Sequence, residues 1–374
     1  DYIHFRFKNT KLTLFAASLC LIALANYILT NLKAIGYIVV SVTGGVIPFA
    51  YGVIALSLVM VVYETMGGMR SVAWTDSLQG IILMFGVITI FITIQIEYGG
   101  FEFIYNAIQT SDPQKFIPPN FTQKLSWLST ICLGFFGISI YPHAIQRIYS
   151  ANNEGSFKKS IQIMAFMPII TALFMVVVGL TALALFPGLD RQTSEGATLL
   201  VLKDLSQRGA IGSGMMVLFL SATIAAIMST VDSALLSMSS IITKDFYKRF
   251  RPAKSQAELT NIGKMISWAI MAFSVYLAIV LPQTIWRLLE IKLELLIQIS
   301  PAIFLGLYYK KIKASSILWG MTFGTLFAVG TMVANKFGMD VSAKPWGIHA
   351  GVWGLIINLT IVFILEKIKR TPVE

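Results

Sequence analysis

The sequence predicts an all-α polytopic membrane protein of about ten transmembrane helices, and three observations predict it. The 374 residues are 56% hydrophobic and only 13% charged, whereas a soluble chain carries roughly a quarter charged residues. Apolar runs of about 20 residues, the length that crosses a bilayer, recur along the whole chain. Lys and Arg are unevenly divided between the alternate loops those runs create. No polar stretch is longer than a loop, so no soluble domain is embedded in the chain. The net charge of +11 sits at helix ends in short loops, which fits membrane headgroups rather than nucleic acid.

The ten predicted spans lie near 12–31, 47–65, 74–97, 127–149, 161–186, 213–241, 262–281, 285–308, 314–334 and 347–366. The first is a plain apolar helix containing Cys20; Cys132 lies in the fourth, and both read as small buried hydrophobes with no disulfide or metal spacing. Between the second and third spans stands YETMGGMRSVAWTDSLQG (63–80). Gly67-Gly68 predicts a tight turn there, with Arg70 at the headgroups and Trp74 in an interfacial belt. Asp76 then opens the third span, where a carboxylate favours the positive end of a helix.

The fourth span reads STICLGFFGISIYPHAIQR. Gly134 and Gly137 weaken the helix and Pro142 removes a backbone donor. Two readings stand open: a kink common in membrane helices, or a discontinuous helix whose freed backbone groups face a solute cavity. Ser139, Tyr141, His143 and Gln146 are the polar side chains at the break, and His143 alone fits a structural histidine as well. The loops 98–126 and 187–212 are longer than the rest. In the second, ATLLVLKDLSQ is amphipathic and fits an interfacial helix or a soluble cap equally.

The sixth span carries the strongest signal, SATIAAIMSTVDSALLSMSSIITKD at 221–245. Ser229, Asp232 and Ser233 stand at i, i+3 and i+4, on one helix face, with Ala222, Ala225 and Ala226 continuing it. A small-residue packing seam accounts for the alanines and serines. It does not require Asp232, and an acid inside the membrane is a functional-site hypothesis by default. Hydroxyls, carbonyls and carboxylates are hard oxygen ligands suited to a small hard cation.

Orientation follows from the basic residues. Ten spans put both termini on one side, and 19 of the 29 Lys and Arg residues fall on that side, which is therefore the cytoplasm. The chain opens on DYIHFRFKNTK, which is not a signal peptide. No HExxH, no GxSxG and no His/Cys cluster at ligand spacing argues for an enzyme.

WTDSLQG after a Gly-Gly sequence, PHAIQR, and AAIMSTVDSALLS running into TKDFYK resemble, in this order and spacing, the sodium/solute symporter family, whose members include the sodium/proline symporter. The resemblance covers nearly the whole chain, and SPAIFLGLYYKK (300–311) is similar to the end of the family's tenth core helix. It implies the LeuT-like inverted-repeat transporter fold, in which 1–97 is the remainder of the first repeat, 127–308 the second repeat and 314–366 peripheral helices. It also implies sodium as coupling ion, alternating access, and a multi-pass cell membrane location, a bacterial inner membrane, with both termini cytoplasmic.

Carried over by position, the Ala226 carbonyl and the Ser229 and Thr230 hydroxyls would hold sodium. Asp76, Asp232 and Ser233 would form a second cation or proton site. Ser139, Tyr141, His143 and Gln298 would meet the solute, with Glu294 and Gln298 the polar residues of LELLIQISP. Pro142-His143 resembles the proline and organic-acid branch more than the sugar branch, so the expected solute is an amino acid or carboxylate. Counting helices backwards, the family's first two core helices are missing and the first repeat is incomplete, so the chain is expected to be part of a longer protein. The runner-up reading is the transporter-like sensor domain of a signalling protein.

Overall fold

The computed structural model describes residues 2–190, 193–251, 255–281, 285–336, 342 and 344–368; the side chains of 68–71, 210 and 336 also fall outside that description. It is built from helices, taken here in chain order. A short α1 (Tyr2–Phe7) leads into α2 (Thr10–Val42), whose first turn is capped by the Asn9 side chain accepting from Leu12 N at 3.0 Å. Such a bond satisfies one of the donors a helix start leaves free. α2 is the wall shared by two apolar cores. Leu12, Ala16, Leu19 and Ala23 pack with α13, α14 and α15, while Leu24, Ile28, Leu32 and Ile35 pack with α3, α8, α9 and α11. The remaining elements are α3 (Phe49–Tyr98), α4 (Gly100–Ser111), α5 (Phe121–Ile138), α6 (Pro142–Tyr149), α7 (Glu154–Leu185), α8 (Ala197–Gln207) and α9 (Ala210–Ile241). They are followed by α10 (Lys248–Phe250), α11 (Gln256–Val280), α12 (Ile285–Leu296), α13 (Ser300–Tyr308), α14 (Ala314–Lys336) and α15 (Ala350–Ile368).

Eight helical stretches among the described residues are long and apolar enough to cross a membrane, and the bent pair α5 and α6, 43° apart, makes a ninth. The eighth predicted span, 285–308, is helical but breaks into α12, a 3-10 turn at Ile297–Ile299, and α13. Its first half carries Arg287, Glu290, Lys292 and Glu294, which removes it from any purely apolar count. On α7 the large residues Ile161, Ile163, Phe166, Ile169, Leu173 and Val176 are all exposed, the face a membrane helix turns to lipid.

The predicted tight turn at Gly67-Gly68 is not a loop. Helical backbone continues from Phe49 to Tyr98, so the chain reverses direction by bending inside one helix. The contacts require the reversal: a Cβ on Gly52 would meet Val39 near the end of α2, and one on Gly86 would lie 3.0 Å from Ala222 Cβ on α9. α2 and α9 run antiparallel, with Arg249 donating to Thr10 Oγ1 at 2.6 Å, so residues 52 and 86 lie at similar depth. At about 1.5 Å per residue a straight helix would part them by roughly 50 Å. This also overturns the placement of Asp76 at a helix start, since helical turns precede it. Arg70, the expected headgroup anchor, lies outside the described side chains, whereas Trp74 is 74% exposed, as a belt residue should be.

The two described ends of the chain share a face. Arg6 donates to the Gly306 and Tyr309 carbonyls at 2.8 and 2.9 Å, and Glu366 accepts from Lys313 N and Ser316 Oγ at 3.1 and 2.6 Å. The amphipathic piece 197–207 becomes α8, which buries Val201, Leu202 and Leu205 against the bundle. There Asp204 accepts from Tyr98 Oη at 2.6 Å and Arg208 Nε at 2.9 Å. Those two donors, Tyr98 first, hold its carboxyl below the usual carboxylate range.

Candidate functional site

The site forms where α9 passes between α2 and α3. In the N-terminal half of α9, Ala222 meets Gly86 at close range, so the small-residue seam is real there. In the C-terminal half the hydroxyls take over. Thr230 Oγ1 donates to the Ala226 carbonyl at 2.8 Å, which brings both oxygens to one spot on the helix surface. The Thr230 hydroxyl lies near that of Tyr27 on α2.

Ser229 and Ser233 stand on the adjoining part of the α9 surface, near the Asp76 carboxyl of α3, whose Oδ1 is buried without a hydrogen-bond partner. Arg147, at the end of α6, donates to both Asp76 Oδ2 and Ser233 Oγ. A guanidinium therefore bridges two of the three oxygen residues expected to hold a second cation. The third, Asp232, is fully buried, and neither of its carboxylate oxygens has a hydrogen-bond partner. The predicted face of Ser229, Asp232 and Ser233 is thus divided between a paired and an unpaired acid.

The fourth predicted span is broken, as one of its two readings has it. α5 starts on an Asn120/Gln123 capping box and ends at Ile138, and Pro142 starts α6. The break presents Tyr141 and His143 to α2. His143 stacks on Tyr27 at 5.5 Å between ring centroids, with Tyr141 5.7 Å from Tyr27 and 5.0 Å from His143. His143 Nδ1 is buried and has no partner. Against these rings lies Lys292 of α12, 2% exposed, its Nζ 3.7 Å from the Tyr27 centroid and 5.0 Å from that of Tyr141. A cavity of about 220 Å³ lined by Thr13, Cys20, Gln146 and Ser237 ends against Ile140 and Pro142, on either side of Tyr141. Gln146 Oε1 accepts from Ser237 Oγ at 2.6 Å in its wall. Both cysteines are free and half-buried, more open than expected, Cys20 because it faces this cavity.

Two expected solute residues point elsewhere. Ser139 is exposed and donates to the Phe135 carbonyl at 2.5 Å on its own helix. Gln298 is fully buried, but its Nε2 donates to the Gly351 carbonyl at 2.8 Å, in a contact so tight that a Cβ on Gly324 would lie 2.4 Å from its Oε1. Arg147, Lys292 and Tyr27 are site residues that the sequence reading did not single out. Lys292 had a usable signal, since it stands well inside a predicted span and an intramembrane charge is suspect for the same reason as Asp232.

Comparisons with known proteins bear on the family and the fold. The model of the "Sodium:solute symporter family" matches residues 1–324. The uncharacterized symporter YhjB of Bacillus subtilis (strain 168) is 25% identical over 383 aligned residues, covering 99% of this chain and 76% of its own length. A sodium/proline symporter of Staphylococcus aureus (strain bovine RF122 / ET3-1) is 24% identical, covering 87% of this chain. The chain spans 63% of the length of that relative. Among solved structures, a Na+-coupled sialic acid symporter in a substrate-bound outward-open state superposes with a TM-score of 0.76 over 98% of this chain and 76% of its own, at 21% identity. That likeness establishes the fold, the LeuT-like arrangement. With nearly its whole length matched by the family model and its apolar helices packed in that arrangement, this multi-pass membrane protein belongs to the sodium:solute symporter family.

Proposed function

We propose that the chain forms the greater part of a sodium-coupled symporter that imports a small organic solute, an amino acid or carboxylate, by alternating access. The observation that carries this reading is the oxygen pair on α9, the Ala226 carbonyl and Thr230 hydroxyl 2.8 Å apart, with Ser229 one position away. Sodium, as a transported ion, would be held there by hard neutral oxygens. Asp76, Ser233 and Asp232 would take a second cation or a proton when Arg147 withdraws from the first two. The solute would lie at the break between α5 and α6, against Tyr141 and His143, and leave through the cavity beside Pro142. Residues 1–97 and 127–308 then act as parts of the two repeats that rock against each other. The face carrying both chain ends is the cytoplasmic one.

The test is uptake by the protein reconstituted in liposomes. An inward sodium gradient is expected to drive at least tenfold more accumulation of one labelled amino acid or carboxylate than an equal potassium gradient. Equal accumulation with both ions would contradict sodium coupling.

A further inference from the structure

The least explained charge in the molecule is Lys292. Its ammonium is buried in the membrane-spanning bundle at 2% exposure, and its recorded contacts are the faces of Tyr27 and Tyr141. Removing an ammonium from water is costly, and desolvated cation–π contacts return only part of that cost. A buried cation is ordinarily paired with an anion. Among the described residues, the elements around this one supply none. α2 contains no Asp or Glu, and neither does the stretch from Phe121 to Tyr149 that forms α5 and α6. On α12 itself Glu290 and Glu294 are each two positions from Lys292, about 200° around the helix, and both are drawn to Arg287. On α9, Asp232 is two positions from Thr230, the residue that lies near Tyr27, and so points away from the cage by the same geometry.

We infer that Lys292 is the counter-ion of the transported solute: its ammonium, held over Tyr27 and Tyr141 beside His143, receives a carboxylate, and the solute is a small monocarboxylate anion. A neutral sugar would leave the ammonium unpaired. A zwitterionic amino acid would bring a second ammonium to a cage with no acid. The unpartnered Nδ1 of His143 is a further polar atom for such an anion at the same cage. The inference rests on the symport reading for its coupling, and supplies a cause for it. Tyr27 touches Lys292 and lies near Thr230, so sodium at Thr230 adds a second positive charge close to the cage and raises its affinity for an anion, and the anion does the same for sodium.

The experiment measures binding to the purified protein, by thermal shift and by titration, in sodium and in choline buffer. The probes are acetate, propionate, lactate and pyruvate, the matching amides, and alanine as the zwitterion shaped like lactate. At least one carboxylate is expected to bind tenfold or more tightly than both its amide and alanine. Lys292→Met should abolish that preference, Lys292→Arg should keep part of it, and both should retain the stabilisation by sodium alone, which also shows that they fold. An amide binding as well as its acid, preference for alanine, undiminished carboxylate binding by Lys292→Met, or no carboxylate bound at all would each overturn the inference. If sodium has no effect on the wild-type protein while Lys292-dependent carboxylate binding persists, the coupling reading fails and the anion site stands.

Discussion

Replacing Asp76 by asparagine and Arg147 by glutamine together is expected to cost much less than the sum of the two single replacements. Asp76 is 10% exposed at its side chain and Arg147 47%. An exposed pair contributes at most about 1 kcal/mol, and breaking a buried one costs about 3–5 kcal/mol. This pair stands between, so each single change should destabilise by about 2 kcal/mol and the double mutant should recover at least about 1 kcal/mol of coupling. Thermal unfolding of the four proteins measures it; additive effects would mean that the bridge has no energetic content. Sodium titration gives an independent readout. Arg147→Gln frees Asp76 Oδ2 and Ser233 Oγ for a metal cation, so the half-saturating sodium concentration should fall and the titration steepen. Asp76→Asn should raise that concentration.

Glu290→Ala is expected to be the most destabilising single change outside the ion site. Glu290 is 5% exposed, and its Oε1 accepts from Trp286 Nε1 at 2.9 Å, Lys344 Nζ at 2.9 Å and His349 Nε2 at 3.2 Å, while Oε2 takes Arg287 at 3.0 Å. His349 Nδ1 then meets Ser129 Oγ of α5 at 2.7 Å. One carboxylate thereby ties α12 to the start of α15 and to the helix that breaks at Tyr141. Its removal takes the anion from Lys344 and His349 and the nearer of two carboxylates from Arg287. Arg287 and Lys344 are 21% and 31% exposed, which places the loss at the lower end for a buried pair, about 3 kcal/mol. The unfolding midpoint should drop by about 5 °C or more, and Glu290→Gln, which keeps an acceptor, should lose less. An unchanged midpoint for Glu290→Ala would show that the network is dispensable.

Hydrophobic length alone located nearly every helix, because a lipid-facing helix must be apolar over about 20 residues whatever it packs against. The same rule fails where charges enter. The span 285–308 was legible by length, yet the sequence does not reveal that Glu290 and Lys292 serve opposite sides of it. Counting Lys and Arg by loop assigned Arg147 and Lys292 to membrane faces, and thereby hid two cations that lie at the candidate site. The partner of Arg147 is 71 residues away, a distance no local pattern spans. Gly67-Gly68 is a strong turn signal, but glycine is only a weak helix breaker at about 1 kcal/mol, and tertiary contacts of both limbs outweigh it. Ser229, Thr230 and Asp76 entered the candidate site through the family resemblance, because a packing seam and a helix start account for those residue types equally well. Gln298 looked the same in sequence and is instead spent on the α15 backbone.

In the proposed function, α9 holds sodium through the Ala226 carbonyl and the hydroxyls of Ser229 and Thr230. Equilibrium binding of radioactive sodium to the purified protein tests it most directly, comparing wild type with Ser229→Ala, with Thr230→Val, which keeps the shape and removes the hydroxyl, and with Thr230→Ser, which restores it. Loss of one ligand should weaken binding about tenfold, equivalent to about 1.4 kcal/mol, with Thr230→Ser close to wild type. Sodium bound equally by all four proteins would contradict the account.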